Sequence, residues 1–511
     1  MFEATKVGRS LSKAAFREQE ATLRAELLQV QQDLTTSNIP VIVIVAGVEG
    51  AGKGGVVNRL NKWLDTRGMQ TFAFWDETDE ERARPRYWRF WRTLPPRGQM
   101  AVLFGGWYLL PIEHRYRGKC TDAELDAELN RVVELERMLT LDGALVVKFW
   151  FHMSEKDQKQ RLKSLARDDR SRWKMLPEKK QFSRQYAQFE QVAERVIRHT
   201  DRGIAPWYLI EATDDRYRDI TVGRTLLEAI RTRIAHPTIA DSQLPSHTPS
   251  LPPGDSAQIT VLDPIDLTRT LDRPAYKLTL NDLQESANQL AWQAYNQRRS
   301  TIMVFEGWDA AGKGGAIRRI TNAVDARLYR AIPIAAPSDE EKAHHYLWRF
   351  WRHVPRAGYM TIYDRSWYGR VLVERIEGFA SEYESQRAYS EINQFEEQLV
   401  EHGVILLKFW LHISNDEQLR RFKEREQVAY KQHKITEEDW RNREKWDRYK
   451  MAVNEMVIRT STEYASWHLI AGNDKLSARI DVLKAFCDAI ESALKDPDYR
   501  PTDYRPCAGN R

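Results

Sequence analysis

The run Gly307-Trp308-Asp309-Ala310-Ala311-Gly312-Lys313-Gly314-Gly315 has the residue types of a device for holding phosphate. Its glycines let the backbone curl until successive N–H groups converge on phosphate oxygens, and Lys313 can neutralise the charge they carry. The spacing is that of the G-x-x-x-x-G-K phosphate loop. Gly314 stands where the usual pattern has a Ser or Thr hydroxyl for Mg²⁺. Another oxygen must replace it, and Asp309 and Asp364 are the candidates. Asp364 ends an apolar stretch and is followed by Arg365, whose guanidinium can clamp a phosphate through two parallel N–H bonds. Asp309, Lys313, Asp364 and Arg365 are therefore the expected catalytic set. Asp309 and Asp364 are the expected metal ligands, and Gly312, Gly314 and Gly315 the phosphate cradle.

Two further groups could touch a ligand. Between Arg420 and Lys434 six cations (Arg420, Arg421, Lys423, Arg425, Lys431, Lys434) face two acids, Glu424 and Glu426. Beside a phosphate loop this imbalance suits a track for a polyanion, with a solvated helix face as the plainer alternative. In Trp348-Arg349-Phe350-Trp351-Arg352 the two arginines are three apart and neighbours on a helix. Trp348, Arg349 and Arg352 are candidates for the acceptor side, against core aromatics and surface arginines. The histidines show no metal-ligand spacing and are read as structural or surface residues.

The loop needs a strand before it and a helix after it. Thr301 to Glu306 is a buried-strand run, and Ala316 to Ile320 begins a helix. The same strand and loop occur at Val41–Gly55, with Gly47 matching Gly307 at an offset of 260. That register also pairs Trp107-Tyr108 with Trp367-Tyr368, Lys148-Phe149-Trp150 with Lys408-Phe409-Trp410, and Trp207 with Trp467. One offset held that long means a duplicated domain rather than a short-period solenoid. Residues 1–235 form the first copy, 236–262 a Pro/Ser-rich linker, 263–500 the second copy and 501–511 a tail. Strands are expected at 71–75, 144–151 and 207–210, and at 330–334, 404–411 and 467–470, with others ending near 104 and 364. Amphipathic helices are expected at 16–34 and 280–296. Such alternation implies an α/β fold, each copy a parallel five-stranded sheet flanked by helices. The charged helices at about 414–460 form a lid over the strand C-termini, where ligands bind in such sheets.

The first copy keeps Lys53 but has Glu49, Phe104 and Gly105 where the second has Asp309, Asp364 and Arg365. In its lid, Gln160, Leu165 and Ser171 replace Arg420, Arg425 and Lys431. It should be catalytically dead or badly impaired.

The 511 residues carry a net charge of +5, which leaves any anion site local and argues against nucleic acid. Three scattered cysteines argue against disulfides and a structural zinc. With no long apolar run and no signal core, a cytoplasmic protein without a membrane segment is expected.

Together the motifs GWDAAGKGG (307–315), YLWRFWRHVP (346–355), YDRSWYGRVLVERI (363–376), EKWDRYKMAVNEM (444–456) and TEYASWHLIAGNDKLSARI (462–480) resemble the family 2 polyphosphate kinases, in their fused two-domain subgroup. The resemblance implies tandem P-loop kinase-like domains and Mg²⁺-dependent phosphoryl transfer from inorganic polyphosphate to AMP, giving ADP. It implies that Asp309, Lys313, Asp364 and Arg365 are essential, and that Arg420, Arg421, Lys431 and Lys434 line the polyphosphate path. Gly369 departs from the acidic residue many members carry after the Trp-Tyr pair. The alternatives are an ADP-phosphorylating polyphosphate kinase, an ATP-dependent nucleotide kinase and a non-catalytic polyanion-binding scaffold. The spare domain also offers surface for a homo-oligomer.

Overall fold

A computed structural model describes residues 1–167, 186–236, 260–427, 437–496 and 499. The proposed linker, Lys431, Lys434, Ser171 and the tail at 501–511 lie wholly or mainly outside these residues.

Each copy is built on one central, largely apolar strand. β1 (Val41–Gly47) and β6 (Thr301–Gly307) are buried along nearly their whole length, as central strands of a parallel sheet covered on both faces must be. In the first domain β2 (Met69–Ala73), β3 (Met100–Phe104), β4 (Leu145–His152) and β5 (Trp207–Glu211) complete a sheet of order β2-β3-β1-β4-β5. In the second, β7 (Tyr329–Pro333), β8 (Met360–Asp364), β9 (Ile405–His412) and β10 (Trp467–Ala471) give the order β7-β8-β6-β9-β10. Every pairing is parallel, so the strand C-termini, and the loops that follow them, share one edge in each domain.

The expected strands occur with ends shifted by one or two residues. The first helices are longer than expected, Lys13–Ser37 and Arg273–Asn296. They start at Ser12 and Asp272, whose side chains accept from amides three residues on, and Pro274 lies in the first turn of the second. The aromatic segment forms only one helical turn in each domain, Trp88–Trp91 and Trp348–Trp351.

The two domains meet about a local two-fold axis. Trp91 stacks on Trp351, its counterpart in the repeat, with ring centroids 5.7 Å apart and planes 15° apart. The Arg97 amide donates to the Ala343 carbonyl at 2.8 Å, and the Ala357 amide donates to Ala83 at 2.9 Å, the same bond seen from the other domain. Arg387 pairs with Asp142 at 2.7 Å, both side chains buried. One apolar core therefore runs continuously from the first sheet into the second. This is the isologous geometry of a symmetric dimer, built within one chain.

Candidate active site

At the C-terminal edge of the second sheet, β6 turns sharply into the phosphate loop. Gly307 is at φ +149°, and a Cβ there would lie 2.5 Å from the Leu411 carbonyl oxygen, so only glycine lets β6 and β9 approach so closely. The helix Lys313–Ala323 then starts at Gly312, itself left-handed. Lys313 Nζ donates to the carbonyls of Gly307 at 2.7 Å and Trp308 at 3.3 Å, which holds the ammonium inside the curl of the loop.

β8 runs beside β6, with Asp364 opposite Phe305, and delivers Asp364 and Arg365 to the same edge. Arg365 reaches the Asp309 carboxylate at 3.4 Å. Asp309, Gly312, Lys313, Gly314, Gly315, Asp364 and Arg365 line one open cleft of about 600 Å³. The strand order makes this juxtaposition, because the chain reverses its direction of winding beside β6.

Arg425 from the lid also lines the cleft, as do Arg318, Arg319 and Arg479. The last three are absent from the expected set. Arg479 had a visible signal, since its counterpart in the first copy is Asp219. Arg420 is exposed and paired with Glu417 at 2.7 Å.

Arg421, expected on the polyphosphate path, is instead buried beneath the loop. It donates to the carbonyls of Ala310 and Ala311 at 2.9 Å, Gly472 at 2.6 Å and Asn473 at 2.9 Å. A guanidinium so fully used ties the loop to the end of β10 and has no face for a phosphate.

Trp348, Arg349 and Arg352 lie outside the lining of this cleft. Trp348 is buried and stacked on His344 at 3.9 Å. Arg349 donates to the Ala335 carbonyl and pairs with Glu341, while Arg352 pairs with Glu340. These contacts lie within the second domain, and the one-turn helix meets its counterpart in the first through Trp351 on Trp91.

The lid touches the loop through side chains to which the sequence reading gave no role of their own. The Trp446 ring stacks on Trp308 with centroids 3.7 Å apart, Asn442 Nδ2 donates to Asp309 Oδ2 at 2.9 Å, and Gln418 donates to the Asp309 carbonyl at 3.1 Å. Trp308 Nε1 donates to His412 Nδ1 at 3.0 Å, and burial pushes this imidazole down to about 4. His412 is thus a neutral acceptor in the core.

The first domain repeats the backbone but not the site. Lys53 makes the same bonds to Gly47 and Val48 carbonyls, yet Glu49, Phe104 and Gly105 occupy the other positions. Arg218, buried, packs against the loop so tightly that a Cβ on Gly52 would fall 1.9 Å from its Nη1. It is held there by the Ala51 carbonyl and by Asp215 and Asp219. The second copy has Ala478 at that position, and a Cβ on Gly312 would meet only Arg421 Nη1, at 4.0 Å.

The polyphosphate kinase 2 family model matches residues 10–237 and again 270–498. A Pseudomonas aeruginosa protein named polyphosphate:AMP phosphotransferase is 49% identical over 496 residues, covering 97% of this chain and 99% of its own. One of the same name from Acinetobacter johnsonii is 36% identical over 497 residues, covering 96% of this chain and 99% of its own. A crystal structure from Pseudomonas aeruginosa described as polyphosphate kinase 2 superposes with a TM-score of 0.85 at 46% identity, over 97% of this chain and 99% of that one. With two matched segments that span both sheets, and full-length relatives of the same two-domain length, the chain belongs to the polyphosphate kinase 2 family.

Proposed function

We propose that this chain transfers the terminal phosphoryl group of inorganic polyphosphate to AMP, giving ADP, and that the second domain carries the reaction. One observation supports this above the rest. Asp309, Lys313, Asp364 and Arg365 line a single cleft in the second domain, while the first has lost three of the four and fills its own loop with Arg218. The substrates are those in the names of the full-length relatives.

The last phosphates of the polymer rest on the amides at the start of the helix Lys313–Ala323, where N–H groups and helix dipole favour anions. Lys313, Arg365 and Arg425 offset the donor's charge. A phosphate oxygen of AMP attacks the terminal phosphorus, the bridging P–O bond breaks, and the shortened polymer leaves with that oxygen. The attacking oxygen is already anionic near neutral pH, so the chain's task is alignment and charge stabilisation rather than proton removal. Asp309, held by Asn442 and Arg365, orients the acceptor. The acceptor side is the crevice next to Asp309 and Arg365, whose apolar walls come from Leu372, Val373 and Tyr449.

Mg²⁺ suits the donor set. Asp309 and Asp364 supply hard oxygens on one cleft, and no cluster of three or more His, Cys, Asp or Glu competes for a different metal among the described residues. Mg²⁺ keeps waters and substrate phosphates in its coordination shell, so one or two carboxylates suffice. Bound there, it would neutralise phosphate charge.

The test is made on the full-length chain with polyphosphate, AMP and Mg²⁺, following ADP by chromatography. Lys313→Ala, Asp364→Ala and Arg365→Ala should each lower turnover at least about a hundredfold, the scale for loss of a preorganised charge stabiliser. Lys53→Ala should stay near wild type. ADP formation that survives Asp364→Ala, or is lost in Lys53→Ala, places the chemistry elsewhere. Replacing polyphosphate by ATP separates the nucleotide-kinase alternative.

A further inference from the structure

Glu306 is the last side chain before the phosphate loop, and nothing in the reaction above uses it. Glu306 is 6% exposed and its carboxylate accepts from Ser366 Oγ at 2.8 Å, and Ser366 is 4% exposed. The same serine oxygen accepts from the Tyr368 amide at 3.3 Å, at the start of the 3₁₀ turn Trp367–Arg370. One hydroxyl therefore joins the end of β6 to the turn that follows β8. Burial raises the Glu306 carboxyl, opposed by the charge of Lys313 and the Ser366 bond.

Between Asp364 and Ser366 stands Arg365, at φ +66°. That left-handed conformation is strained for a residue with a Cβ, and it persists only where the surroundings over-determine it. The first domain makes the first step of this turn and then departs from it, with Gly106 at φ +48° where Ser366 is extended at φ −155°. Gly105 is at φ +71°, and its amide donates to Val45 at 2.9 Å as Arg365 donates to Phe305 at 3.0 Å. There, however, both turn positions are glycine, Gly105 and Gly106, and the position of Glu306 is Ala46. Glutamate, arginine and serine are lost together. The buried pair is present only in the domain where a residue with a Cβ takes the left-handed position.

We propose that the Glu306–Ser366 pair is a positioning device: it holds Arg365 in its left-handed turn so that the guanidinium is set against the phosphate loop before polyphosphate binds. This rests on reading the second-domain cleft as the site of transfer.

The full-length chain is assayed for ADP formation, and binding of inorganic tripolyphosphate is measured by calorimetry on the same samples, with melting temperature as the folding control. Ser366→Ala should lower kcat at least about tenfold while KM for AMP changes less than about threefold, the split expected when the arginine's hold on the donor rather than AMP binding is lost. It should weaken tripolyphosphate binding in parallel. Glu306→Ala should behave like Ser366→Ala, and Glu306→Gln, which keeps an acceptor oxygen, should recover most of the loss. In an Arg365→Gly background the strain and the side chain are both gone, so Ser366→Ala should cost less than about twofold more. Where Ser366→Ala does not fold, Glu306→Ala enters the same cycle. Wild-type kcat and tripolyphosphate affinity in folded Ser366→Ala, or equal fractional losses with and without Arg365, would overturn the proposal. A wild-type chain that makes no ADP overturns the functional reading instead, and the tripolyphosphate cycle still decides the role of the pair.

Discussion

His412 shows how one side chain links the core to the loop. Its Nδ1 accepts from Trp308 Nε1, so the imidazole must be neutral with its proton on Nε2, and burial holds it at about 4 against the usual 6.5. The unfolded chain takes up this proton as pH falls through about 6.5, whereas the folded chain refuses it until about 4. The sign follows: the stability contribution is present above pH 6.5 and is lost as pH falls towards 4, reaching about 3 kcal/mol at most. His412→Gln offers Trp308 an acceptor but binds no proton. Urea midpoints measured across this window should therefore fall less steeply in His412→Gln, by up to one proton. An unchanged slope would remove His412 from the account.

At the scale of elements, the Trp-Tyr pair and the Lys-Phe-Trp run recur in both copies because together they fasten a strand to a helix. Lys408, fully buried on β9, donates to Glu396 at 2.7 Å, to the Tyr368 hydroxyl at 3.1 Å and to the Thr460 carbonyl at 2.6 Å. Trp367 Nε1 donates to the same Glu396, which lies on the helix Glu382–Glu401. Lys148, Glu136, Tyr108, Thr200 and Trp107 repeat the arrangement in the domain that lacks the acids of the site. Its survival there marks it as structural. Removing one partner strands a buried charge, so Lys408→Met should cost about 3–5 kcal/mol of stability in chemical denaturation. Turnover per folded molecule should stay near wild type. A loss of turnover without a loss of stability would contradict that assignment.

For the whole molecule, the first domain is the partner against which the second packs. The Trp91–Trp351 stack, the reciprocal backbone bonds and the Arg387–Asp142 pair lie across one junction, and the core continues through it. Trp91→Ala lies far from the cleft in sequence and in function. It should nevertheless cost about 3–5 kcal/mol, as loss of a buried Trp does. Because the core spans both domains, wild-type unfolding should be one transition, and the variant should separate it into two by calorimetry. A single transition at the wild-type temperature would mean that the junction contributes little. No helix among the described residues is long and apolar enough to cross a membrane.

Where residues of the candidate site lie close together in the chain, the sequence was enough to group them. Loop glycines, Lys313 and the Asp364-Arg365 step are set by local backbone requirements, and the repeat register showed which copy lacked Asp309, Asp364 and Arg365. Alternating apolar runs likewise determined two parallel sheets, with the ends of strands uncertain by a residue or two because fraying ends carry little apolar signal. Side-chain direction and long-range partners are another matter. Arg420 and Arg421 are adjacent and chemically identical, yet one faces solvent and the other is buried on four carbonyls. Trp308 and Trp446 meet, Arg218 plugs the first loop, and Trp91 finds Trp351 only through packing between distant segments. Cations and aromatics read alike along a chain; which carbonyl, ring or phosphate each one meets is decided when the sheets and lid come together.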